Sequence, residues 1–139
     1  MAETLKARLI RHEGIRLKVY RDSLGIETIG CGRNLRDRGI TYPEALVLLD
    51  NDIAIAEAEL FVAFPWMLTL TQTRREVFVE LAFNMGVPRL KGFAKALAAA
   101  EDGDWETCAD ELLDSTWATQ VKGRAVTLAT IIRTGQPLA

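Results

Sequence analysis

The chain is poor in the features that mark several common classes of protein. It has two cysteines, Cys31 and Cys108, and one histidine in 139 residues, so no group of side chains has the spacing of a metal site. Its net charge of −2 is opposite in sign to the basic excess of most nucleic-acid-binding proteins. No window approaches the roughly 20 apolar residues of a membrane-spanning helix. We therefore expect no metal, no cofactor, no nucleic-acid partner, no membrane insertion, and two free, buried thiols.

The composition is that of a globular domain. Hydrophobic residues make up 49% and charged residues 26% of the chain, which are ordinary proportions. The N-terminal segment is charged and amphipathic, and it lacks the apolar stretch of a signal peptide. We expect one domain, or two small lobes sharing a core, in a monomer that stays in the cytoplasm where it is made.

The first part of the sequence predicts a helix followed by a β-hairpin. An amphipathic stripe ends at Gly14, a natural stop, which predicts a helix over 3–13. Two runs rich in strand-forming residues then flank the segment 22–25, which begins with Asp and ends with Gly as a turn does. The predicted strands are 17–21 and 26–31, and an irregular stretch over 33–39 follows them.

The remaining sequence predicts helices. Thr41 and Glu44 match a capping box, and the helix that they open should end before Pro65. Further helices are predicted at 72–85, 93–102, 105–113 and 122–133. The expected fold class is α+β, predominantly α. A small β-lobe of about residues 15–41 is joined by a helix of about 42–64 to a helical lobe of 65–139, which also takes in helix 3–13.

Three side chains near the N-terminus carry the candidate chemistry. Glu13 ends the first helix, Asp22 begins the turn, and Thr28 lies on the returning strand. Two carboxyl groups on opposite sides of a cleft are the minimum machinery for cutting a glycosidic bond, because one of them must protonate the departing oxygen. The negative end of a helix dipole disfavours a further negative charge, which makes Glu13 the better proton donor. Backbone amides and water in the turn keep Asp22 ionised.

The same stretch resembles a known family. Its pattern is similar to the signature of phage-type lysozymes related to the phage T4 endolysin. In this pattern eight residues separate Glu13 from Asp22, five separate Asp22 from Thr28, and Gly30 and Gly32 follow. The resemblance implies a lysozyme-like fold and an N-acetylmuramidase that hydrolyses the β-1,4 bond between N-acetylmuramic acid and N-acetylglucosamine in bacterial peptidoglycan. It also implies that Glu13 is the general acid and that Asp22 and Thr28 position the water.

Later segments resemble the same family in the same order. They lie at 39–45, 82–86, 117, 123–125 and 133–135. The resemblance implies substrate-binding roles for Asn34, Phe83, Asn84 and Arg124, and it pairs Arg124 with Glu13. The chain departs from the family at Arg33, where a histidine is usual. Read by itself, Arg33 is a substrate contact or a solvated loop charge.

The implied position of the water predicts the stereochemistry. Attack on the face opposite the leaving group inverts the anomeric centre, so we expect an inverting hydrolase. The two carboxyl groups should then lie roughly 6.5–9.5 Å apart to leave room for the water, whereas a separation of about 5 Å indicates a retaining route through a covalent Asp22 intermediate.

Other functions and settings stay open at this point. A lytic transglycosylase needs one catalytic acid/base and no water-positioning pair, and a catalytically inactive wall-binding or structural module keeps the fold alone. A weaker option is a chitinase. As an endolysin, the protein binds the peptidoglycan glycan strand and waits in the host cytoplasm until a holin releases it to the periplasm and cell wall. Attachment to a larger phage particle is the other setting.

Overall fold

The structure, a computed structural model, describes residues 2–138. Within this range it contains eight α-helices, one 3₁₀ helix and a three-stranded antiparallel sheet, which confirms the predicted α+β, predominantly α, fold class. None of the helices over 2–138 is both long enough and apolar enough to cross a lipid bilayer. The helices are α1 Leu5–Glu13, α2 Tyr42–Ala63, α3 Gln72–Met85, α4 Val87–Leu90, α5 Ala94–Glu101, α6 Trp105–Leu113, α7 Thr116–Val121 and α8 Gly123–Thr134, with the 3₁₀ helix at Pro65–Thr69.

The chain groups into two compact units, Met1–Leu48 and Leu49–Ala139, and the division falls within α2. The first unit holds α1, the sheet and the start of α2. The second holds the rest of α2 and all later helices. The predicted lobes at 15–41 and 65–139, their connecting helix at 42–64, and the assignment of helix 3–13 to the helical lobe stay predictions.

The sheet of the first unit has the order β1-β2-β3, with β1 at Arg16–Arg21, β2 at Glu27–Gly30 and β3 at Arg33–Asn34. The first two strands confirm the predicted hairpin, with a bulge in the middle of β1. The third strand lies where the sequence predicted irregular structure. Its two residues are too few to show an alternating pattern, and they form a strand because β2 offers a free edge.

The start of α2 also confirms its sequence signal. The Thr41 backbone N–H donates to Glu44 Oε1 at 2.8 Å, and the Glu44 N–H donates to Thr41 Oγ1 at 3.3 Å. These are the two reciprocal hydrogen bonds of a capping box. They fix the Glu44 side chain at the first turn of the helix.

In the second unit the four predicted helices are present, with ends within one residue of their predicted limits. Asp104 caps α6 by accepting from the Thr107 N–H at 3.2 Å, as the sequence predicts. The 3₁₀ helix, α4 and α7 were not predicted. Each has six residues or fewer, which is too short for a helical period to show.

The core of the second unit is formed by α3, α5, α6 and α8, with α6 packed against both α5 and α8. Its largest fully buried side chains include Phe78, Leu81, Leu112 and Ile132. Trp117 is buried, and Trp66 and Trp105 pack against the same cluster. The tryptophans therefore anchor the core, as their place on amphipathic helices indicates.

Both cysteines are free, as expected, but only one of them is buried. Cys108 lies in the core, and its burial raises the pKa of the thiol to about 12. The expectation of a buried thiol was wrong for Cys31, which is exposed in the turn after β2, where its thiol lies 3.5 Å from the Leu9 carbonyl oxygen. A turn residue has few neighbours to cover it, which composition does not reveal.

The end of α8 supplies a stability prediction. Gly135 has φ +71°, and a β-carbon there would lie 2.9 Å from Cζ of Arg74, whose Nε donates to the Ile132 carbonyl at 2.8 Å. Gly135→Ala is expected to lower the free energy of unfolding by about 2 kcal/mol, because a clash with a fixed guanidinium adds to the cost of a positive φ. Urea unfolding monitored by circular dichroism measures it.

Gly103→Ala is the matched control. Gly103 has φ +77°, and a β-carbon placed on it meets nothing within 4 Å, so only the backbone cost of about 1 kcal/mol applies. Equal losses in the two variants would mean that Arg74 yields freely and does not hold the end of α8.

Candidate active site

Glu13 is the last residue of α1, and the helix ends there because of Gly14. The Gly14 N–H donates to the Ile10 carbonyl at 2.8 Å, and its φ of +74° turns the chain out of the helix. A β-carbon placed on Gly32 would lie 3.7 Å from Glu13 Oε2. The exposed Glu13 carboxyl group therefore lies beside the turn that joins β2 to β3.

Asp22 is fixed by the turn between β1 and β2. Its Oδ1 accepts from the backbone N–H groups of Leu24 at 2.8 Å and Ile26 at 2.9 Å. This is the Asx-turn arrangement that makes aspartate a common turn residue. Because Oδ1 takes both of these hydrogen bonds, Oδ2 is the oxygen that can serve a substrate or a water.

Thr28 lies on β2 and is 3% exposed. Its cross-strand neighbours are Tyr20 on β1 and Asn34 on β3. Its Oγ1 lies 2.8 Å from the Ile26 carbonyl oxygen, which can only accept, so the hydroxyl donates its proton there. Towards any further partner the Thr28 oxygen can therefore only accept a hydrogen bond. A free hydroxyl could both donate and accept.

One carbonyl group ties Asp22 to Thr28. The Ile26 oxygen accepts from Thr28 Oγ1 at 2.8 Å and from the Asp22 backbone N–H at 3.0 Å. Ile26 in turn donates its own N–H to Asp22 Oδ1. The structure thus brings Asp22 and Thr28 together around Ile26 and places Glu13 beside the same sheet.

Asn34 is held within its own loop. Its Oδ1 accepts from the Asp37 N–H at 2.9 Å, and its Nδ2 donates to Asp37 Oδ2 at 3.0 Å. Each end of the amide makes one hydrogen bond, which leaves one N–H and one lone pair of the carbonyl oxygen for a further partner. Its predicted substrate-binding role stays a prediction.

The three other predicted substrate-binding residues belong to the second unit. Phe83 and Arg124 line one groove of about 720 Å³ between α2, α3 and α8. Arg124 Nε donates to Glu80 Oε2 at 2.9 Å in the same groove. Asn84 Oδ1 instead accepts from Nε1 of the buried Trp117 at 2.9 Å. The predicted pairing of Arg124 with Glu13 stays a prediction.

Of the two roles considered for Arg33 from the sequence, the structure excludes the solvated loop charge, and the substrate contact stays a prediction. It is not a solvated loop charge, because it makes a bidentate ion pair with Glu44, with N–O distances of 2.9 and 2.8 Å. From the sequence, Glu44 is predicted only to cap α2. A capping carboxylate accepts from more than one donor, which is the signal that could have suggested a second partner.

A metal is not indicated by the arrangement of side chains. Over residues 2–138, no three His, Cys, Asp or Glu side chains are grouped so that they could hold a metal ion. The candidate site contains two carboxyl groups, a hydroxyl and the backbone that holds them. This is a set suited to proton transfer and to the orientation of a water.

Comparison with known proteins finds relatives over nearly the whole length of the chain. The sequence profile of the phage lysozymes matches residues 10–133. The pre-baseplate central spike protein Gp5 of Enterobacteria phage T4 is 32% identical over 163 residues, and the match covers 97% of this chain and 28% of the spike protein. The chain thus spans little more than a quarter of that relative's length.

Two relatives match over nearly their whole length. They are the probable T4-type lysozymes 1 and 2 of Dictyostelium discoideum, each 26% identical over 165 residues, with 97% of this chain and 96% of the relative covered. The profile match takes in Glu13, Asp22 and Thr28 and most of both units. The chain belongs to the phage lysozyme family.

Proposed function

We propose that this chain is an N-acetylmuramidase that hydrolyses the β-1,4 bond between N-acetylmuramic acid and N-acetylglucosamine in peptidoglycan. The observation that carries the proposal is that the Ile26 backbone hydrogen-bonds to both Asp22 and Thr28. The Glu13 carboxyl group lies beside the next turn of the same sheet. Relatives named T4-type lysozymes support the class of substrate.

The proposed reaction uses each group once. Glu13 gives its proton to the glycosidic oxygen while the bond from that oxygen to the anomeric carbon breaks. A water forms the new bond to the anomeric carbon from the opposite face and passes a proton to Asp22 Oδ2. The products are two shorter glycans, one with a new reducing end. Glu13 and Asp22 then exchange protons with solvent.

Thr28 gives this water its direction. Because the Thr28 proton is held by the Ile26 carbonyl, the Thr28 oxygen accepts one hydrogen of the water while Asp22 Oδ2 accepts the other. Both hydrogens of the water are then engaged, and a lone pair points away from the two acceptors.

Analysis of the products tests the proposal. Purified peptidoglycan digested by the chain should release glycans with reducing N-acetylmuramic acid ends, formed first as the α-anomer because the β-bond is inverted. Ends with a 1,6-anhydro ring would indicate a lytic transglycosylase, and a β-anomer would indicate a retaining route. No clearing between about pH 4 and about pH 8 would indicate an inactive wall-binding module. Chitin is the control polymer.

For the biological setting, we propose an endolysin that acts as a monomer and is released from the host cytoplasm by a holin. The match to a phage spike protein favours a second candidate, a lysozyme domain that acts from a phage particle. Mass spectrometry of purified particles and of the particle-free lysate distinguishes the two. Peptides of this chain in the particle fraction would overturn the endolysin proposal.

A further inference from the structure

Strand β3 has only two residues, although it is one of the two strands that pair with Thr28. It consists of Arg33 and Asn34, and it pairs with β2 directly opposite Ile29 and Thr28. One further hydrogen bond, from the Leu35 N–H to the Glu27 carbonyl at 2.8 Å, extends this pairing. So short a ladder does not fix a strand by itself, and a side chain supplies the additional hold.

That side chain is Arg33. Its Nη1 donates to Glu44 Oε1 at 2.9 Å and to the Gly39 carbonyl at 3.1 Å, and its Nη2 donates to Glu44 Oε2 at 2.8 Å. Two parallel hydrogen bonds between a guanidinium and a carboxylate fix direction as well as distance. The Arg33 side chain is 24% exposed and that of Glu44 is 42% exposed, so solvent reaches the pair from the Glu44 side. We call this pair the Arg33–Glu44 clamp.

Glu44 is itself fixed to the first turn of α2. Its Oε1 also accepts from the Thr41 N–H in the capping box. The hydrogen bonds from Arg33 and then from Thr41 lower the pKa of Glu44 to about 2, and the bond to Glu44 raises the pKa of Arg33. The clamp therefore stays ionised from mildly acidic to alkaline pH, and it ties β3 to a rigid helix end.

We infer that the Arg33–Glu44 clamp positions Thr28 for the reaction, because it fixes β3, the cross-strand neighbour of Thr28, to the start of α2. Arg33 is a positioning residue, since it acts through the strand and not on the substrate. The inference rests on the proposed function and deepens it, because it assigns a role to an arginine that the hydrolysis itself does not require.

The test replaces Arg33 by a residue whose charge depends on pH. In an Arg33→His variant, the clamp forms only when the imidazole is protonated, so it is lost as the pH rises through the histidine pKa, about 6.5 before the carboxylate raises it. Arg33→Lys keeps a permanent positive charge and serves as the reference. The ratio of kcat for the His variant to kcat for the Lys variant should fall about threefold between about pH 5.5 and about pH 8.5, a range that a partly exposed ion pair can supply.

Other charged groups on the loop after β3, on β2 and at the end of α1 are common to both variants. Their contributions, and that of His12, cancel in the ratio of the two rates. They are Arg36, Asp37 and Arg38 in the loop after β3, Glu27 on β2, and Glu13 at the end of α1.

Two further variants isolate the pair. Glu44→Gln retains an acceptor for the Thr41 N–H but has no charge. The ratio of kcat for the Arg33→His, Glu44→Gln double variant to kcat for Arg33→Lys should therefore not change with pH. Arg36→His places a histidine three residues away, where the arginine is only loosely paired with Asp37 at 3.9 Å. It should leave the pH profile as it is in the parent protein.

A readout without catalysis separates this inference from the proposed function. The Thr28 methyl signal in a methyl NMR spectrum should titrate with the introduced histidine in Arg33→His, and its shift should be much smaller in the double variant, where the imidazole ionises without a carboxylate partner. If the parent protein digests peptidoglycan and Arg33→His keeps the pH profile of Arg33→Lys, the positioning role is wrong. If the parent does not digest peptidoglycan but the Thr28 signal titrates, the proposed function fails and the structural coupling stands.

Discussion

A Glu13→Gln variant is expected to hydrolyse peptidoglycan about 1,000-fold more slowly than the parent protein, with an unchanged denaturation midpoint. The amide has the shape of the carboxyl group but has no proton that it can give to the departing oxygen. Glu13 is exposed at the end of α1, so the isosteric change does not disturb packing. Initial rates of turbidity loss and urea unfolding measure the two quantities on the same samples.

Glu101→Gln is the matched control for this change. Glu101 is also an exposed glutamate at the last position of a helix, in this case α5. The variant removes one negative charge from the chain, as Glu13→Gln does, and it should retain the parental rate. If Glu13→Gln kept near-parental activity, or if the two variants lost activity equally, Glu13 would not be the general acid.

The sequence predicted the elements whose signals are local. The capping box of Thr41 and Glu44 joins residues three apart, and the stop at Gly14 and the cap at Asp104 act within one turn of their helices. Asp22 and Thr28 were predictable for a related reason. A tight hairpin brings a turn residue and a residue of the returning strand close together without help from the rest of the fold.

The side-chain pairs that the sequence did not reveal join residues that are distant along the chain. Arg124 and Glu80 are 44 positions apart, and Trp117 and Asn84 are 33 apart. Any arginine has many carboxylates as possible partners, and only the packing of α3 against α7 and α8 selects one. The direction of the Thr28 hydroxyl was equally hidden, because it depends on where the Ile26 carbonyl points and not on residue type.

That hydroxyl direction leads to the second large expected effect. Thr28→Val should lower kcat about 100-fold, because it removes one of two acceptors that orient the attacking water. The strand should tolerate valine, which has nearly the shape of threonine and suits a β-strand. The Ile26 carbonyl keeps its hydrogen bond from the Asp22 N–H at 3.0 Å, so no backbone group is left unpaired.

Thr28→Ser restores the oxygen without the methyl group and should recover most of the rate. Asp22→Asn keeps an oxygen for the Leu24 and Ile26 N–H groups, but it removes the carboxylate that takes the proton of the water, so it should cost at least as much as Thr28→Val. Because both side chains act on one water, the double variant Asp22→Asn, Thr28→Val should be hardly slower than the worse single variant. Steady-state kcat values for the four variants test this. Fully additive losses would mean that Asp22 and Thr28 act on different steps, and the shared water would have to be abandoned.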